Sequence, residues 1–365
     1  MKPLRILHSE AATGFGGQEH RIFKEMCAMR DQGHHLEAVC QPGAPLAERL
    51  QAEGFTVHTM PMRGPRNYMA GVCRLRRILK TGRFDVVNTH SRRDTLLAGV
   101  AARLAGTPLI VRTRHLAIKP GSLLSYTWVP HCVTTVSEHV RQLLLDRGVD
   151  PDRVATVYTS VPLPPVVEHS SLRTELGLPA DAVVVGCVAV MREKKGHRAL
   201  IDAMRELLQR PDVYLVLVGS GSPLLENLQT YVQSLGLQDK VLFTGRRNDI
   251  PNVLAGLDIF ALATEQEALG TSFIEAAAAG LPVIGTDVGG VSETMVDGVT
   301  GLLVPLHDPA ALSQALTTLV DDPQRRQDMG RAGMRRVREE GFFSTQALVS
   351  DTEACYGRWL KDRTV

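Results

Sequence analysis

Strand-like apolar runs alternate with helical patterns along the chain, and this alternation restricts the fold more than any other feature. The runs "AVVVGCVAV" at 182–190 and "VYLVLVG" at 213–219 are uninterrupted and rich in β-branched residues, as expected for strands covered on both faces. Elsewhere, apolar residues recur at helical spacing, as they do over about 19–31. We therefore predict an α/β protein built on parallel sheets.

Length and linker composition predict two domains. A chain of 365 residues is too long for one hydrophobic core, and the proline-rich stretch at 160–171, "SVPLPPVVEHSS", has the composition of an exposed linker. We predict a Rossmann-like domain over 1–165, a second over 166–343, and a C-terminal helix over 344–365 that returns to pack on the first domain. Open α/β sheets bind ligands at the carboxyl ends of their strands, so the cleft between the domains is the predicted site.

Charge is distributed unevenly along the chain. The formal net charge is only +2, yet residues 1–165 hold 22 Lys and Arg against 13 Asp and Glu, whereas the remainder holds 19 against 26. Acidic residues are absent from 54–84 and from 95–137. A solvated basic face is the plain interpretation, and attraction to an anionic membrane surface or a lipid-diphosphate acceptor is the functional one. Nucleic acid is not an expected partner, because no recognised binding motif accompanies the charge.

Cysteine usage and hydropathy predict a cytoplasmic protein. The six cysteines are scattered without a CxxC pair, which disfavours a zinc site and a disulfide framework. The apolar N-terminal stretch is too short for a signal peptide, and no segment reaches the roughly 20 apolar residues of a membrane span. We expect a cytoplasmic location, with contact to the inner face of the plasma membrane through the basic first domain.

Glycines follow the first predicted strand, in "ATGFGGQEH" at 12–20. Gly14, Gly16 and Gly17 lie between strand and helix, where a backbone without Cβ atoms can approach a ligand and present amides to an anion. A plain tight turn is the alternative. A dinucleotide fingerprint starting at Gly14 would place its last glycine at Glu19, so the spacing argues against NAD.

Cations follow the first predicted strand of the second domain. Arg192, Lys194 and Lys195 come directly after the apolar run at 182–190. Positive charge at the carboxyl edge of a sheet can neutralise a diphosphate leaving group. A solvated turn with basic residues is the alternative.

Two carboxylates flank a short segment of small residues in "TEQEALGTSFIEAAAAG" at 264–280. Glu267 precedes a predicted helix and Glu275 lies inside it. Both can accept hydrogen bonds from hydroxyl groups of one ligand, while the helix amides between them hold phosphate. This order of groups fits a sugar, a diphosphate and a ribose. The alternative for Glu275 is a capping box in which Ser272 is the N-cap residue.

These stretches resemble the retaining glycosyltransferases of family four, which have the GT-B fold of two Rossmann-like domains. The segment "EALGTSFIEAAAAGLPVIGTDVGGVSETMVDGVTGLLVP" at 267–305 is similar to the family's E-x7-E motif and to its trailing Gly-Gly-x-x-Glu and Asp-Gly-x-x-Gly segments. "GFGGQEHR", "RTRH" and "KKGH" agree in kind and order. The similarity spans almost the whole chain.

The resemblance implies a role for each candidate residue. It assigns Glu267 to the hydroxyls of the donor sugar, Glu275 to the nucleotide ribose and His115 to the side of the reacting sugar. Lys195 would neutralise the diphosphate, so His115, Glu267 and Lys195 are the predicted catalytic residues. The further donor-binding residues that the resemblance implies are Gly16, Gly17, Arg192, Gly270, Thr271 and Ser272.

Two positions depart from the family's pattern. Many members carry an arginine where this chain has Val190, and Arg192 is the predicted replacement. The stretch "VYTSVPLP" at 157–164 stands where relatives usually show Asn-Gly-Val/Ile-Asp, which predicts a different loop between the domains.

We therefore predict an enzyme that moves a sugar from a nucleotide-sugar to a precursor of the cell envelope, of lipopolysaccharide or of another polysaccharide, with retention at the anomeric carbon. Stabilisation of charge on the departing diphosphate would drive the reaction, and neither a cofactor nor a metal is required. Two alternatives are left open. One is a nucleotide-sugar epimerase of the same architecture, and the other is a protein that binds a nucleotide-sugar without turnover.

Overall fold

The computed structural model describes residues 2–163 and 166–363. The chain divides into two compact units: Met1–Ser160 together with Thr345–Val365 forms the first, and Val161–Ser344 forms the second. We predict that 1–165 lies on the acceptor side and 166–343 on the nucleotide-sugar donor side, and these two roles stay predictions.

The first unit contains a parallel sheet. Its strands among the described residues are β1 (Arg5–Glu10), β2 (His35–Cys40), β3 (Thr56–Thr59), β4 (Val86–Thr89), β5 (Leu109–Arg114), β6 (Cys132–Thr135) and β7 (Val154–Thr156). They pair in the order β3-β2-β1-β4-β5-β6-β7, all in parallel. The strand order reverses between β1 and β4, which is where open sheets of this kind bind ligands.

Helices cover both faces of this sheet. They are α1 (Gly17–Asp31), α2 (Pro45–Ala52), α3 (Pro65–Gly82), α4 (Arg92–Asp94), α5 (Val100–Ala105), α6 (Leu124–Thr127) and α7 (Glu138–Leu145). Neighbouring residues of β1 point to opposite faces, so Ile6 joins one apolar cluster with Met26 of α1, whereas Leu7 joins another with Leu75 of α3. Apolar residues on both faces explain why the strands read as continuous hydrophobic runs.

The second unit contains a second parallel sheet. Its strands among the described residues are β8 (Val183–Val188), β9 (Val213–Val218), β10 (Val241–Gly245), β11 (Ile259–Leu262), β12 (Val283–Thr286) and β13 (Gly301–Val304). Their order is β10-β9-β8-β11-β12-β13, again all parallel. The order reverses between β8 and β11. The predicted α/β fold with two parallel, Rossmann-like sheets is therefore confirmed.

The helices of the second unit follow the same alternation. They are α8 (Leu172–Glu175), α9 (His197–Met204), α10 (Leu224–Ser234), α11 (Ile250–Ala255), α12 (Thr271–Ala278), α13 (Val291–Thr294), α14 (Pro309–Asp321) and α15 (Pro323–Arg338). The alanines of α12 are buried, and α15 packs closely on it: a Cβ atom added at Gly333 would lie 3.4 Å from the Cβ atom of Ala277. Small residues on both helices permit this close approach.

The last helix, α16 (Thr345–Asp362), belongs to the first unit. Tyr356 and Trp359 are buried in the apolar cluster that also contains Ile22 and Met26 of α1. Burial of two such aromatic side chains stabilises this packing by several kcal/mol, on the order of 2–3 kcal/mol for each. The predicted return of the C-terminal helix is confirmed. Among the described residues, no helix has both the length and the apolarity that crossing a bilayer requires.

Candidate active site

Lys195 and Glu267 meet at the carboxyl edge of the second sheet. Lys195 ends a short 3-10 turn, Glu193–Lys195, that follows β8, and Glu267 lies in the loop after β11. Since β8 and β11 are neighbours, their loops lie side by side, and Lys195 Nζ donates a hydrogen bond to Glu267 Oε1. The two side chains are only 20% and 14% exposed. Both residues are predicted site residues, and the fold brings them together.

Backbone contacts fix these two loops against each other. The amide of Glu265 donates to the carbonyl of Lys194 at 2.8 Å, and the hydroxyl of Thr264 donates to the same carbonyl at 3.0 Å. Gly196 follows with φ +66°, and a Cβ atom there would lie 1.8 Å from the carbonyl oxygen of Ala263. Only glycine therefore permits this approach, which sets the position of Lys195.

A Gly-Gly pair supports Glu267 from the other side. Gly289 has φ +59°, and a Cβ atom there would lie 1.9 Å from the carbonyl oxygen of Glu267. The amide of Gly290 donates to that same oxygen at 3.2 Å. The glycines of the Gly-Gly-x-x-Glu segment thus hold the backbone of Glu267.

The glycines after β9 also have a packing role. A Cβ atom would lie 1.9 Å from the carbonyl oxygen of Ala189 if added at Gly219, and 2.3 Å from that of Met191 if added at Gly221. These residues bring the loop after β9 against the segment that leads to Arg192. Arg192 is exposed, and its carbonyl accepts the amide of Lys195 at 2.9 Å.

Helix α12 begins at Thr271, with Gly270 as its N-cap residue at φ +94°. Because Gly270 has no side chain with which to cap this end, the amides of Thr271 and Ser272 in the first turn can serve a ligand. Ser272 is the second residue of the helix and Glu275 the fifth. The capping-box alternative, which needs Glu275 at the third position, is therefore wrong.

In the first unit, three histidines form a chain across adjacent strands. His8 Nδ1 lies 3.0 Å from His90 Nε2, and His90 Nδ1 lies 3.0 Å from His115 Nε2. Burial lowers the pKa of His8 and holds the pKa values of His90 and His115 well below the ordinary range. At neutral pH the rings are neutral, so one ring donates and the other accepts in each contact. His115 was predicted. Its partners were missed: His8 lies within β1, and His90 follows β4 directly, as His115 follows β5.

The glycine-rich loop precedes α1, which begins at Gly17 with Gly16 as its N-cap residue. The amide of Gly16 donates to Glu19 Oε2 at 2.7 Å. A Cβ atom at Gly16 would lie 3.5 Å from this carboxylate oxygen, and one at Gly17 would meet nothing within 4 Å. Packing of the chain itself does not require glycine at these positions. The close approach of a ligand stays a prediction for both.

Two buried acids that the sequence analysis did not single out lie beside this loop. Glu10, at the end of β1, accepts the amide of Ala12 at 2.8 Å, and Asp94 accepts the amides of His90 at 2.8 Å and Ser91 at 2.7 Å. Burial, with a contribution from Asp94, raises the pKa of Glu10 to about 8. Burial also raises the pKa of Asp94 to about 6. Glu10 therefore holds a proton at neutral pH.

The proton on the Glu10 carboxyl group should make the stability of the protein depend on pH. A carboxyl group with a raised pKa in the folded state binds its proton more tightly there, so its stabilising effect is complete below about pH 4.5 and is lost as the pH rises to about 8. We expect Glu10→Gln, which keeps the shape without the charge, to unfold with a free energy about 4–5 kcal/mol higher than wild type at pH 9. Urea denaturation from pH 5 to 9 measures the difference. Glu48→Gln, an exposed control on α2, should keep the wild-type slope; an unchanged slope in Glu10→Gln would contradict the prediction.

Two protein families match this chain. Residues 15–163 match the family described as Glycosyltransferase Family 4, and residues 169–336 match Glycosyl transferases group 1. A phosphatidylinositol monomannoside mannosyltransferase of Mycolicibacterium smegmatis, described as GDP-mannose-dependent, is 31% identical over 71% of this chain and 73% of its own length. An Escherichia coli galactosyltransferase described as acting from UDP-Gal on alpha-D-GlcNAc-diphosphoundecaprenol is 26% identical over 87% of this chain and 88% of its own.

Solved structures agree on the fold. A glycosyltransferase from Rickettsia africae superposes with a TM-score of 0.91 at 23% identity, covering 99% of this chain and 100% of its own. Anabaena HepE, solved in complex with UDP and glucose, superposes with a TM-score of 0.83 at 20% identity, covering 97% and 99%. The architecture is that of GT-B glycosyltransferases. The chain belongs to glycosyltransferase family 4, as the resemblance predicted.

Proposed function

We propose that this glycosyltransferase moves a sugar from a nucleotide-sugar to a lipid-linked or polysaccharide precursor of the cell envelope, with retention at the anomeric carbon. The observation that carries the proposal is the Lys195–Glu267 ion pair. Glu267 lies three residues before Gly270, the N-cap residue of α12. It combines a cation, a carboxylate and helix amides on one sheet edge. The names of the E. coli and M. smegmatis relatives, which include lipid-linked acceptors, support the class of acceptor.

Charge development explains how these groups would act. As the bond between sugar and diphosphate breaks, negative charge grows on the departing oxygen, and the Lys195 ammonium stabilises it more in the transition state than in the ground state. Glu267 holds Lys195 in position and accepts hydrogen bonds from sugar hydroxyls, while Glu275 accepts from the ribose. The amides of Thr271 and Ser272 bind phosphate oxygens.

His115 is the residue that we propose to contact the reacting sugar. The histidine chain fixes its ring because Nε2 is engaged by His90 Nδ1 at 3.0 Å. Its remaining nitrogen, Nδ1, is the one that would hydrogen-bond to the sugar. The departing phosphate would accept the proton of the acceptor hydroxyl on the same face of the sugar, which accounts for retention without a protein nucleophile. That no metal is needed stays a prediction.

Donor binding tests the proposal directly. We would record thermal unfolding with UDP- and GDP-linked sugars in turn, because the correct donor raises the melting temperature by mass action. With that donor, products are then analysed by NMR, where transfer with an axial-to-axial or equatorial-to-equatorial outcome demonstrates retention. Release of an isomerised sugar without an acceptor would identify an epimerase instead, and binding without transfer or hydrolysis would identify a non-catalytic protein.

The basic surface of α3 motivates a membrane prediction. The cations on this helix and directly beside it are all exposed: Arg63, Arg66, Arg74, Arg76, Arg77, Lys80 and Arg83. Met69 on the same helix is 62% exposed. Since each such cation contributes about 1 kcal/mol of attraction to an anionic surface, we expect binding to phosphatidylglycerol vesicles that weakens with salt.

Charge removal on α3 tests this membrane contact. The triple variant Arg66→Gln, Arg77→Gln, Lys80→Gln should co-sediment with the vesicles at least about tenfold less than wild type. The control removes three exposed arginines of α15, namely Arg325, Arg331 and Arg335, and should bind as wild type does. No co-sedimentation of wild type at low ionic strength would exclude the membrane contact.

A further inference from the structure

We propose that a basic cavity in the first unit binds the phosphate or diphosphate of the acceptor, and that an apolar chain attached to that group lies on the hydrophobic residues at its rim. The inference rests on the proposed function and specifies its acceptor: a lipid phosphate or diphosphate. The cavity has a volume of about 230 Å³ and is lined by residues that include Arg92, Arg112, Arg114, His115, Lys119 and Tyr126. We call it the basic cavity below.

The charge of the basic cavity is of one sign. Arg92, Arg112, Arg114 and Lys119 all line it, and among the described residues neither Asp nor Glu does. Its volume is smaller than the roughly 300–1,000 Å³ of pockets that enclose whole ligands. The cavity therefore fits an anionic headgroup rather than a complete nucleotide-sugar.

Arg112 and Arg114 are the two buried arginines of the basic cavity. Arg112 and Arg114 are 5% and 4% exposed, and their guanidinium carbons lie 3.8 Å and 5.2 Å from the ring centroid of Tyr126. Arg112 donates to the Ser125 carbonyl at 3.0 Å, and Arg114 donates to the Ile118 carbonyl and the Tyr126 hydroxyl. Within the described chain, Nε of each arginine is buried without a hydrogen-bond partner.

Neighbouring buried cations of this kind are costly without a counter-charge. No carboxylate lies within ion-pair distance of Arg112 or Arg114 among residues 2–163 and 166–363; Asp94 acts on Arg112 only from a longer distance. Buried charges in proteins are normally paired. A phosphate group offers several acceptor oxygens and matches guanidinium donors well. Its binding would supply the missing counter-charge.

The rim of the basic cavity is apolar and exposed. Leu116 and Ile118 line the cavity and are 55% and 51% exposed, and Leu124, which lies in sequence between the lining residues Ser122 and Ser125, is 64% exposed. These are three of the six large apolar side chains that are exposed in the described part of the first unit. Such a concentration beside a cationic cavity marks a binding surface. An isoprenoid or acyl chain would bury it, whereas a water-soluble phosphate would leave it exposed.

The basic cavity also contains His115, one of the predicted catalytic residues. His90 and His115 line the same cavity as the arginines. A phosphate bound there would hold the acceptor near His115, the residue that the proposed function assigns to the reacting sugar. The sugar of a lipid-diphosphate sugar would thereby be oriented for transfer.

Binding of farnesyl diphosphate, compared with farnesol, inorganic pyrophosphate and UDP, tests the inference. Isothermal titration calorimetry measures the affinity of the protein for each of these four compounds. We expect farnesyl diphosphate to bind at least tenfold more tightly than farnesol or pyrophosphate. Equal affinity for pyrophosphate would indicate a site for a free anion, and displacement by UDP would indicate a donor site; either result overturns the inference.

Exposed lining residues supply the variants, because replacing the buried arginines can unfold the protein. Arg92→Ala and Lys119→Ala should each weaken farnesyl diphosphate binding at least fivefold and leave farnesol binding unchanged. Leu116→Ser with Ile118→Ser should reduce the affinity to that for pyrophosphate. Arg93→Ala, an adjacent exposed cation that does not line the basic cavity, is the matched control. Wild-type affinity in both Arg92→Ala and Lys119→Ala would overturn the inference.

Donor binding separates this inference from the proposed function. A nucleotide-sugar that raises the melting temperature while farnesyl diphosphate fails to bind would overturn the acceptor assignment and leave the transferase proposal in place. Binding of farnesyl diphosphate without binding of any nucleotide-sugar would overturn the proposed function instead.

Discussion

Replacing Lys195 with alanine is expected to lower kcat/KM by about 100- to 1,000-fold, the loss seen when one preorganised group that stabilises developing charge is removed. The ammonium group of Lys195 is held by Glu267, and the loop behind it is fixed by backbone contacts to β11. Such a group needs little reorganisation when charge develops on the diphosphate. Its removal should therefore act mainly on kcat.

Controls separate this effect from a general loss of charge or of fold. Arg198→Ala removes an exposed cation three residues further on and should keep wild-type activity, since Arg198 stacks on Tyr231 at 4.0 Å and lies outside the Lys195–Glu267 pair. Glu275→Ala should also reduce activity steeply, but through weaker donor binding and a higher KM. Circular dichroism and melting temperatures verify folding. Wild-type turnover in both Lys195→Ala and Glu275→Ala would contradict the assignment of these residues to the active site.

The sheets and their loops were predictable because the sequence pattern has a direct physical cause. Strands covered on both faces must be apolar throughout, so runs such as 182–190 identify them, and polar residues after a run must emerge at the sheet edge. Lys195 and Glu267 follow two such runs. Their meeting depends on β8 and β11 being neighbours, which the order of strands in the sheet shows and the sequence pattern does not.

Contacts between sequence-distant side chains were not predictable in the same way. His8, His90 and His115 touch only because β1, β4 and β5 are adjacent in the sheet, and a lone histidine in a strand carries no mark of its partners. The raised pKa of Glu10 has the same origin, since it results from burial and from Asp94, which lies far along the chain. Sequence patterns report local periodicity, whereas these properties belong to the assembled sheet.

Glycines show where sequence patterns are ambiguous. A glycine after a strand can let a ligand approach, adopt a left-handed backbone conformation in a turn or permit close packing. These three roles give the same pattern in the sequence. Gly219 has the packing role, because a Cβ atom there would overlap a backbone oxygen of its own unit. Gly17 meets no such atom, so its predicted role toward a ligand stays a prediction.

Gly196→Ala is expected to reduce the free energy of unfolding by more than about 3 kcal/mol, because it combines an unfavourable φ with an overlap against fixed backbone. Gly177→Ala is the matched control in the same unit. The φ angles are +66° and +65°, but a Cβ atom at Gly177 would meet nothing within 4 Å, whereas one at Gly196 would lie 1.8 Å from the Ala263 carbonyl oxygen.

Gly177→Ala should lower the free energy of unfolding by only about 1 kcal/mol, the penalty for placing alanine in a left-handed backbone conformation. Urea denaturation of both variants measures the difference, and equal losses would show that the loop relaxes around the new methyl group. Turnover of the same two variants provides a second measurement. Since Gly196 holds the turn of Lys195 against β11, a folded fraction of Gly196→Ala should still be impaired in turnover, whereas Gly177→Ala should be as active as wild type. The close backbone approach would then be identified as the feature that positions the cation.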